Sequence, residues 1–99
     1  MTQVANYIDP SHIFKALGNP LRLTIVHTLL RDGCRNVGYL EKTCAMSQSC
    51  ISQHLQKLRT EGIVCAQRSG NEVYYRICNE DIGILVGQLF REEYHTNEL

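Results

Sequence analysis

The stretch that most constrains this chain runs from Met46 to Gly62, Met-Ser-Gln-Ser-Cys-Ile-Ser-Gln-His-Leu-Gln-Lys-Leu-Arg-Thr-Glu-Gly. Ile51, Leu55 and Leu58 recur at i, i+4 and i+7, the spacing of one helical stripe. Ser47 can open that helix by accepting from an unpaired backbone N–H, and Gly62 can close it. At 100° per residue, Ser49, Gln53, Gln56 and Thr60 fall opposite the stripe, a face with no acid and little bulk. A solvent-facing helix normally mixes Glu and Lys at such places. Amides and hydroxyls flanked by Lys57 and Arg59 suit a helix that reads base edges and touches phosphates. An ordinary polar surface accounts for the same face equally well, so the neighbouring segments must decide.

Upstream, the spacing predicts a short helix over Ser11 to Leu17, ended by Gly18. Asn19-Pro20 then starts a second helix, with Asn19 as cap and Pro20 where its missing N–H costs nothing. That helix runs through Arg31 and is apolar around much of its circumference, which predicts burial. Gly33 stops it. Asn36 caps a third helix carrying Val37, Leu40 and Cys44, and the short break Ala45-Met46 leads straight into the Ser47 helix, the outline of a helix-turn-helix. After Gly62 the period becomes two. Ile63 to Arg68 and Glu72 to Cys78 read as strands joined by a Ser69-Gly70-Asn71 turn, a hairpin whose tip carries Arg68 and Asn71. Such a wing would meet backbone or minor groove beside the polar helix.

A last helix opens at Asn79-Glu80-Asp81, acids at the positive end of its dipole. Ile82, Leu85, Val86, Leu89 and Phe90 form its apolar stripe, with Gly83 and Gly87 alongside, suggesting close helix approach. Either the chain's own body or a two-fold partner could cover the stripe. The partner is favoured, because a body this small has little core to spare and a dimer presents two polar helices to two half-sites. The resulting expectation is a mainly α fold with a β-hairpin, a winged helix-turn-helix of order α-α-α-α-β-β-α, forming a homodimer.

Ninety-nine residues of ordinary composition make one DNA-binding domain over 1–99, with residues 1–10 as a mobile N-terminal arm and 91–99 as an acidic end. Zero net charge argues against a generic polyanion binder, but the charge is uneven. Residues 1–45 and 46–78 each carry +2, and residues 79–99 carry −4, so an acidic end masks a mildly basic body. No apolar run reaches membrane-spanning length and the first residues lack a signal peptide's regions, so a cytoplasmic protein with no membrane partner is expected. In that setting the five cysteines read as free thiols. His12, His27, His54 and His95 are scattered without a nucleophile at a telling spacing, and no Gly-rich phosphate loop is present, so neither an enzyme nor a cofactor is expected.

Three segments carry a family resemblance: Phe14 to Leu23 (FKALGNPLRL), Leu40 to Leu58 with its SQSCISQHL, and Val73-Tyr74-Tyr75. Together they resemble the ArsR/SmtB repressors over residues 11–90. The resemblance implies a homodimeric winged helix-turn-helix, dimerised through its first helix (Ile13, Phe14) and its last. It also implies repression of double-stranded operator DNA until a small inducer, unidentified here, binds. It places Gln48, Ser49, Ser52 and Gln53 on DNA; the helical wheel independently points Ser49 and Gln53 outward and puts Gln48 and Ser52 at the edges. Gln56, Lys57, Arg68 and Asn71 complete the expected contact set. His54 lies nearer the core stripe and reads as packing or a phosphate contact. Where relatives often have a second basic residue in the wing, this chain has Asn71.

The family's metal sites fit poorly. Val37-Gly38-Tyr39-Leu40 stands where related chains have a Cys-Val-Cys stretch. In the last helix Asp81 is present but Gly83 replaces a histidine, and His95 with Glu98 is one residue out of register. No metal site is therefore expected. Among the cysteines, Cys44 reads as core, and Cys65 and Cys78 read as strand-core residues that could approach each other in a suitable register. Cys34 lies near Arg31 and Arg35, and Cys50 near the positive end of its helix, fields that favour thiolate. Those two are the expected sensors of an oxidant, persulfide or arsenite. A metal-responsive repressor of the same fold and a winged helix that binds only protein are the alternatives.

Overall fold

The computed structural model describes residues 9–95. Five helices and three short strands follow in the order α1 (Ser11–Leu17), α2 (Pro20–Asp32), β1 (Arg35–Asn36), α3 (Val37–Cys44), α4 (Gln48–Thr60), β2 (Val64–Ser69), β3 (Glu72–Ile77) and α5 (Glu80–Phe90). The expected mobile arm lies almost wholly outside the described residues, as do the last four residues of the acidic end.

Helix starts are set by asparagine and serine side chains. Asn19 Oδ1 accepts from the Leu21 and Arg22 N–H groups at 2.9 and 3.0 Å, with Pro20 at the first helical position. Asn36 Oδ1 accepts from Tyr39 N–H at 2.9 Å, and Asn79 Oδ1 from Ile82 N–H at 3.1 Å. α2 runs through the middle of the molecule and packs on α1, α3, α4, α5 and β3. Its Ile25, Val26, Leu29 and Leu30 meet Leu40 of α3, Ile51, Leu55 and Leu58 of α4, Ile63, Val64 and Ile77 at the wing base, and Ile82 and Val86 of α5 in one buried cluster.

α3 and α4 meet through a turn at Ala45, which takes a left-handed conformation (φ 55°) that costs an alanine about 1 kcal/mol relative to glycine. The antiparallel β2–β3 hairpin follows, completing a winged helix-turn-helix. One element had escaped the sequence pattern. β1, two residues long, pairs with β3 (Arg35 opposite Tyr75, Asn36 opposite Tyr74), giving a sheet of order β1-β3-β2. Two residues show no alternation, so only the partner strand reveals them. Asn36 also donates from Nδ2 to Glu72 Oε1 at 2.7 Å, tying the wing to the start of α3.

The junction of α2 with α3 is polar and closely satisfied. Asp32 accepts from Arg31 Nε (2.8 Å), from a second Arg31 nitrogen (3.0 Å) and from the Tyr39 hydroxyl (2.6 Å). Arg35 lies over the Tyr39 ring, 4.5 Å from its centroid, and donates to the Asp32 carbonyl. The Arg31 guanidinium, helped by Tyr39 and opposed by partial burial, holds the Asp32 carboxyl at about 2, below its ordinary 3.8. A carboxyl more acidic in the folded than the unfolded chain stabilises the fold fully above the unfolded value and loses that contribution as pH falls through the folded one. Wild type should therefore be more stable than Asp32→Asn by on the order of 1 kcal/mol at neutral pH, allowing for solvent screening. The advantage should fade as pH drops from about 4 towards 2. Thermal melts of both proteins across that range check this; a gap that ignores pH would refute it.

Candidate nucleic-acid interface

Three side chains fix the rotational setting of α4. Ile51, Leu55 and Leu58 are each at most 1% exposed. With that stripe inward, Gln48, Ser49, Ser52, Gln53, Gln56 and Lys57 all stand exposed, so every expected α4 contact residue is available to a ligand. Ser47 caps the helix, its Oγ accepting from Cys50 N–H at 3.2 Å, and lies 3.4 Å from Ser49 Oγ. Among the described residues, the side-chain amides of Gln48, Gln53 and Gln56 form no hydrogen bond within the chain. Their donors and acceptors remain free for a partner. Lys57 sits 3.7 Å from Glu61 in an exposed i,i+4 pair, an interaction weak enough for a phosphate to replace.

The wing adds the second part. Arg68 faces Val73 and Ser69 faces Glu72 across the strands, leaving Gly70 and Asn71 as the two turn residues. Gly70 supplies the positive φ (65°) that a two-residue hairpin demands at its first turn position. Arg68 and Asn71 are exposed at the tip, as expected. His54 is half-buried; burial pushes its pKa down and Arg22 adds to the effect.

The cysteines depart from expectation. Cys34 is half-buried, and that burial raises its pKa despite the nearby Arg76 and Arg35 cations. The thiolate-favouring field inferred from neighbouring arginines is outweighed by desolvation. Cys50 lies half-buried in the first turn of α4, and Cys34, Cys44 and Cys50 are free thiols. Cys65 and Cys78 are not free: a disulfide joins them, with Cα atoms 5.7 Å apart. The expectation of five free thiols is corrected here, because strand register, which composition does not specify, aligns the pair. Among the described residues, no group of three or more His, Cys, Asp or Glu side chains is placed to hold a metal ion.

The expected dimer stripe divides between core and surface. Ile82 and Val86 are buried in the chain's own core at 7% and 1% exposure. Leu85 and Ile13 are half-buried, while Phe14, Leu89 and Phe90 are exposed, as is Ile84, which lies off the sequence stripe. The glycines of α5 make room for the chain's own tail rather than for a second helix. A Cβ on Gly83 would collide with the Tyr94 ring, and one on Gly87 with the Glu92 carbonyl oxygen. The tail turns back at Arg91 (φ 60°), and Glu92 pairs with His27 of α2 at 3.2 Å, whose ring stacks on Phe90 at 4.1 Å. His27 and Tyr94 carried no sequence signal, since their roles arise from contacts 65 and 11 positions apart.

A family model described as "Bacterial regulatory protein, arsR family" matches residues 19–65, from the cap of α2 to the start of β2. The transcriptional activator HlyU of Vibrio cholerae is 33% identical over 86 residues, spanning 87% of this chain and 79% of that one. Among solved structures, the transcriptional repressor BigR from Xylella fastidiosa superposes with a TM-score of 0.75 at 34% identity, covering 82% of each chain. A homodimeric winged helix-turn-helix DNA-binding domain from Mycobacterium bovis gives 0.71 at 30% identity, covering 94% of this chain and all of that one.

Proposed function

The chain belongs to the ArsR family of bacterial regulatory proteins, and on that footing we propose that it is a dimeric transcriptional repressor that binds double-stranded operator DNA. One observation carries the reading: the exposed polar row on α4, in which the Gln48, Gln53 and Gln56 amides and the Ser52 hydroxyl make no hydrogen bond inside the chain among the described residues. Gln53 and Gln48 can form the bidentate pairs that read adenine, Ser49 and Ser52 bond to base edges or phosphates, and Lys57 and Arg68 neutralise phosphates. Asn71 at the wing tip adds a polar contact without charge.

Two copies joined through Phe14, Ile84, Leu85, Leu89 and Phe90 would hide an apolar face that a lone chain leaves in water. They would also set two α4 helices against half-sites about one helical turn apart. A dimer seated on a promoter blocks it by occupancy, so the chain needs no catalytic step and acts as a regulator rather than an enzyme. Release requires an inducer, for which Cys50 is the better placed single thiol: oxidation there adds charge and bulk at the N-terminal turn of α4. Cys34, shielded and held protonated, is the weaker candidate.

Footprinting on the DNA adjoining the protein's own coding region tests the reading. A protected palindrome is expected, with affinity falling linearly in log–log form as salt rises. Absence of protection at low salt would reject DNA binding and leave a protein-only partner.

A further inference from the structure

The cysteines at the wing base carry chemistry that operator contact leaves unused. Cys65 faces Arg76 across the ladder, so Cys78, two residues further along, projects from the same side of the sheet. Their Cα separation of 5.7 Å lies within the span a disulfide bridges. Backbone holds them together independently of the sulfurs, because Cys78 N–H donates to the Ile63 carbonyl at 3.1 Å. The hairpin does not need the bond either: β2 and β3 pair from Val64–Ile77 to Ser69–Glu72, over buried Ile63, Val64 and Ile77. Both cysteines are half-buried rather than sealed in the core. A protein that works on chromosomal DNA sits among thiol reductants, where a disulfide is usually transient, catalytic or redox-sensing.

We propose that Cys65 and Cys78 form a reversible dithiol–disulfide couple that exchanges with low-molecular-weight thiols and disulfides, and that its state sets how firmly the wing engages DNA. The second half rests on the operator-binding function proposed above. In the oxidising direction one cysteine thiolate attacks a small disulfide RSSR, forming a mixed disulfide and expelling RS⁻. The other thiolate then attacks the protein sulfur of that mixed disulfide, closing the bridge and expelling the second RS⁻. Two thiols lose two protons and two electrons, and RSSR leaves as two RSH. Reduction by excess thiol reverses each step. The closed ring contains the whole wing tip, including Arg68 and Asn71. Closure removes conformations that the tip would otherwise lose on docking, so the bridged form binds more tightly.

The test equilibrates the full chain in glutathione buffers of graded thiol-to-disulfide ratio, traps free thiols by alkylation and locates the label by peptide mass spectrometry. Residues 65 and 78 should gain and lose label together across the series; a pair that stays wholly bridged or wholly reduced throughout overturns the couple. On an operator fragment, the bridged form should bind at least threefold more tightly than the reduced form. The difference should vanish in Cys65→Ser and in Cys78→Ala, and survive in Cys34→Ser/Cys50→Ser. Equal or weaker binding by the bridged form, or a difference that persists without Cys65, overturns the coupling to DNA. If no fragment is bound in either state, the operator function itself fails, and the alkylation arm still judges the couple.

Discussion

Replacing Ser49 and Gln53 together by alanine is expected to lower affinity for the operator by about one to two orders of magnitude while leaving weak binding to unrelated DNA nearly unchanged. The asymmetry follows from where these side chains stand. Both are exposed on the face opposite Ile51, Leu55 and Leu58, and neither supports the core. A glutamine amide bonded to a base edge discriminates by about 1–3 kcal/mol, a factor of roughly ten to a hundred. On the proposed reading Lys57 and Arg68 meet phosphates, which carry no sequence information, so Lys57→Ala should weaken specific and non-specific binding alike and flatten the salt dependence. Mobility shifts on operator and scrambled duplexes at two salt concentrations separate the two effects. A Ser49→Ala/Gln53→Ala protein that folds normally and still distinguishes the duplexes would remove α4 as the reading element.

Leu55→Ala is expected to destabilise the fold by about 3 kcal/mol, a large fraction of what a domain of this size has. Leu55 is 1% exposed at the centre of the α4 stripe, in the cluster shared with α2 and the wing base. Truncation removes buried apolar surface and leaves a cavity that neighbours on separate elements cannot readily close. Leu89→Ala provides the contrast: at 70% exposure its loss should change monomer stability by less than about 0.5 kcal/mol and instead weaken self-association. Urea unfolding reads the first effect and sedimentation the second. A Leu55→Ala midpoint close to wild type would mean that α4 is not anchored as described.

Most of the helix-turn-helix was legible before folding because its signals are local. Asn19-Pro20, Asn36, Ser47 and Asn79 each name a helix start through a bond to an N–H two or three residues away, and all four bonds are present. The inward turn of Ile51, Leu55 and Leu58 follows from periodicity, and the outward row of Ser49, Gln53 and Gln56 follows with it. The wing was readable from β-branched residues and a Gly-Asn turn.

What escaped is non-local. Gly83 and Gly87 looked like a surface for another helix, yet Tyr94 and Glu92 of the same chain fill the space, because the turn at Arg91 folds the tail back. Ile82 and Val86 sat on a stripe that read as an interface, but an amphipathic pattern says only that a face is covered, not by what. Arginines flanking Cys34 suggested a reactive thiolate, and burial reversed the sign. The amino-acid order by itself determined the helices, their caps and the polar face of α4, since each depends on groups within a turn or two. Only the tertiary structure decided the β1 pairing, the Cys65–Cys78 bridge, the seat of the tail and which apolar side chains of α1 and α5 stay exposed. Those depend on strand register and on how whole elements pack, and no window of neighbouring residues encodes either.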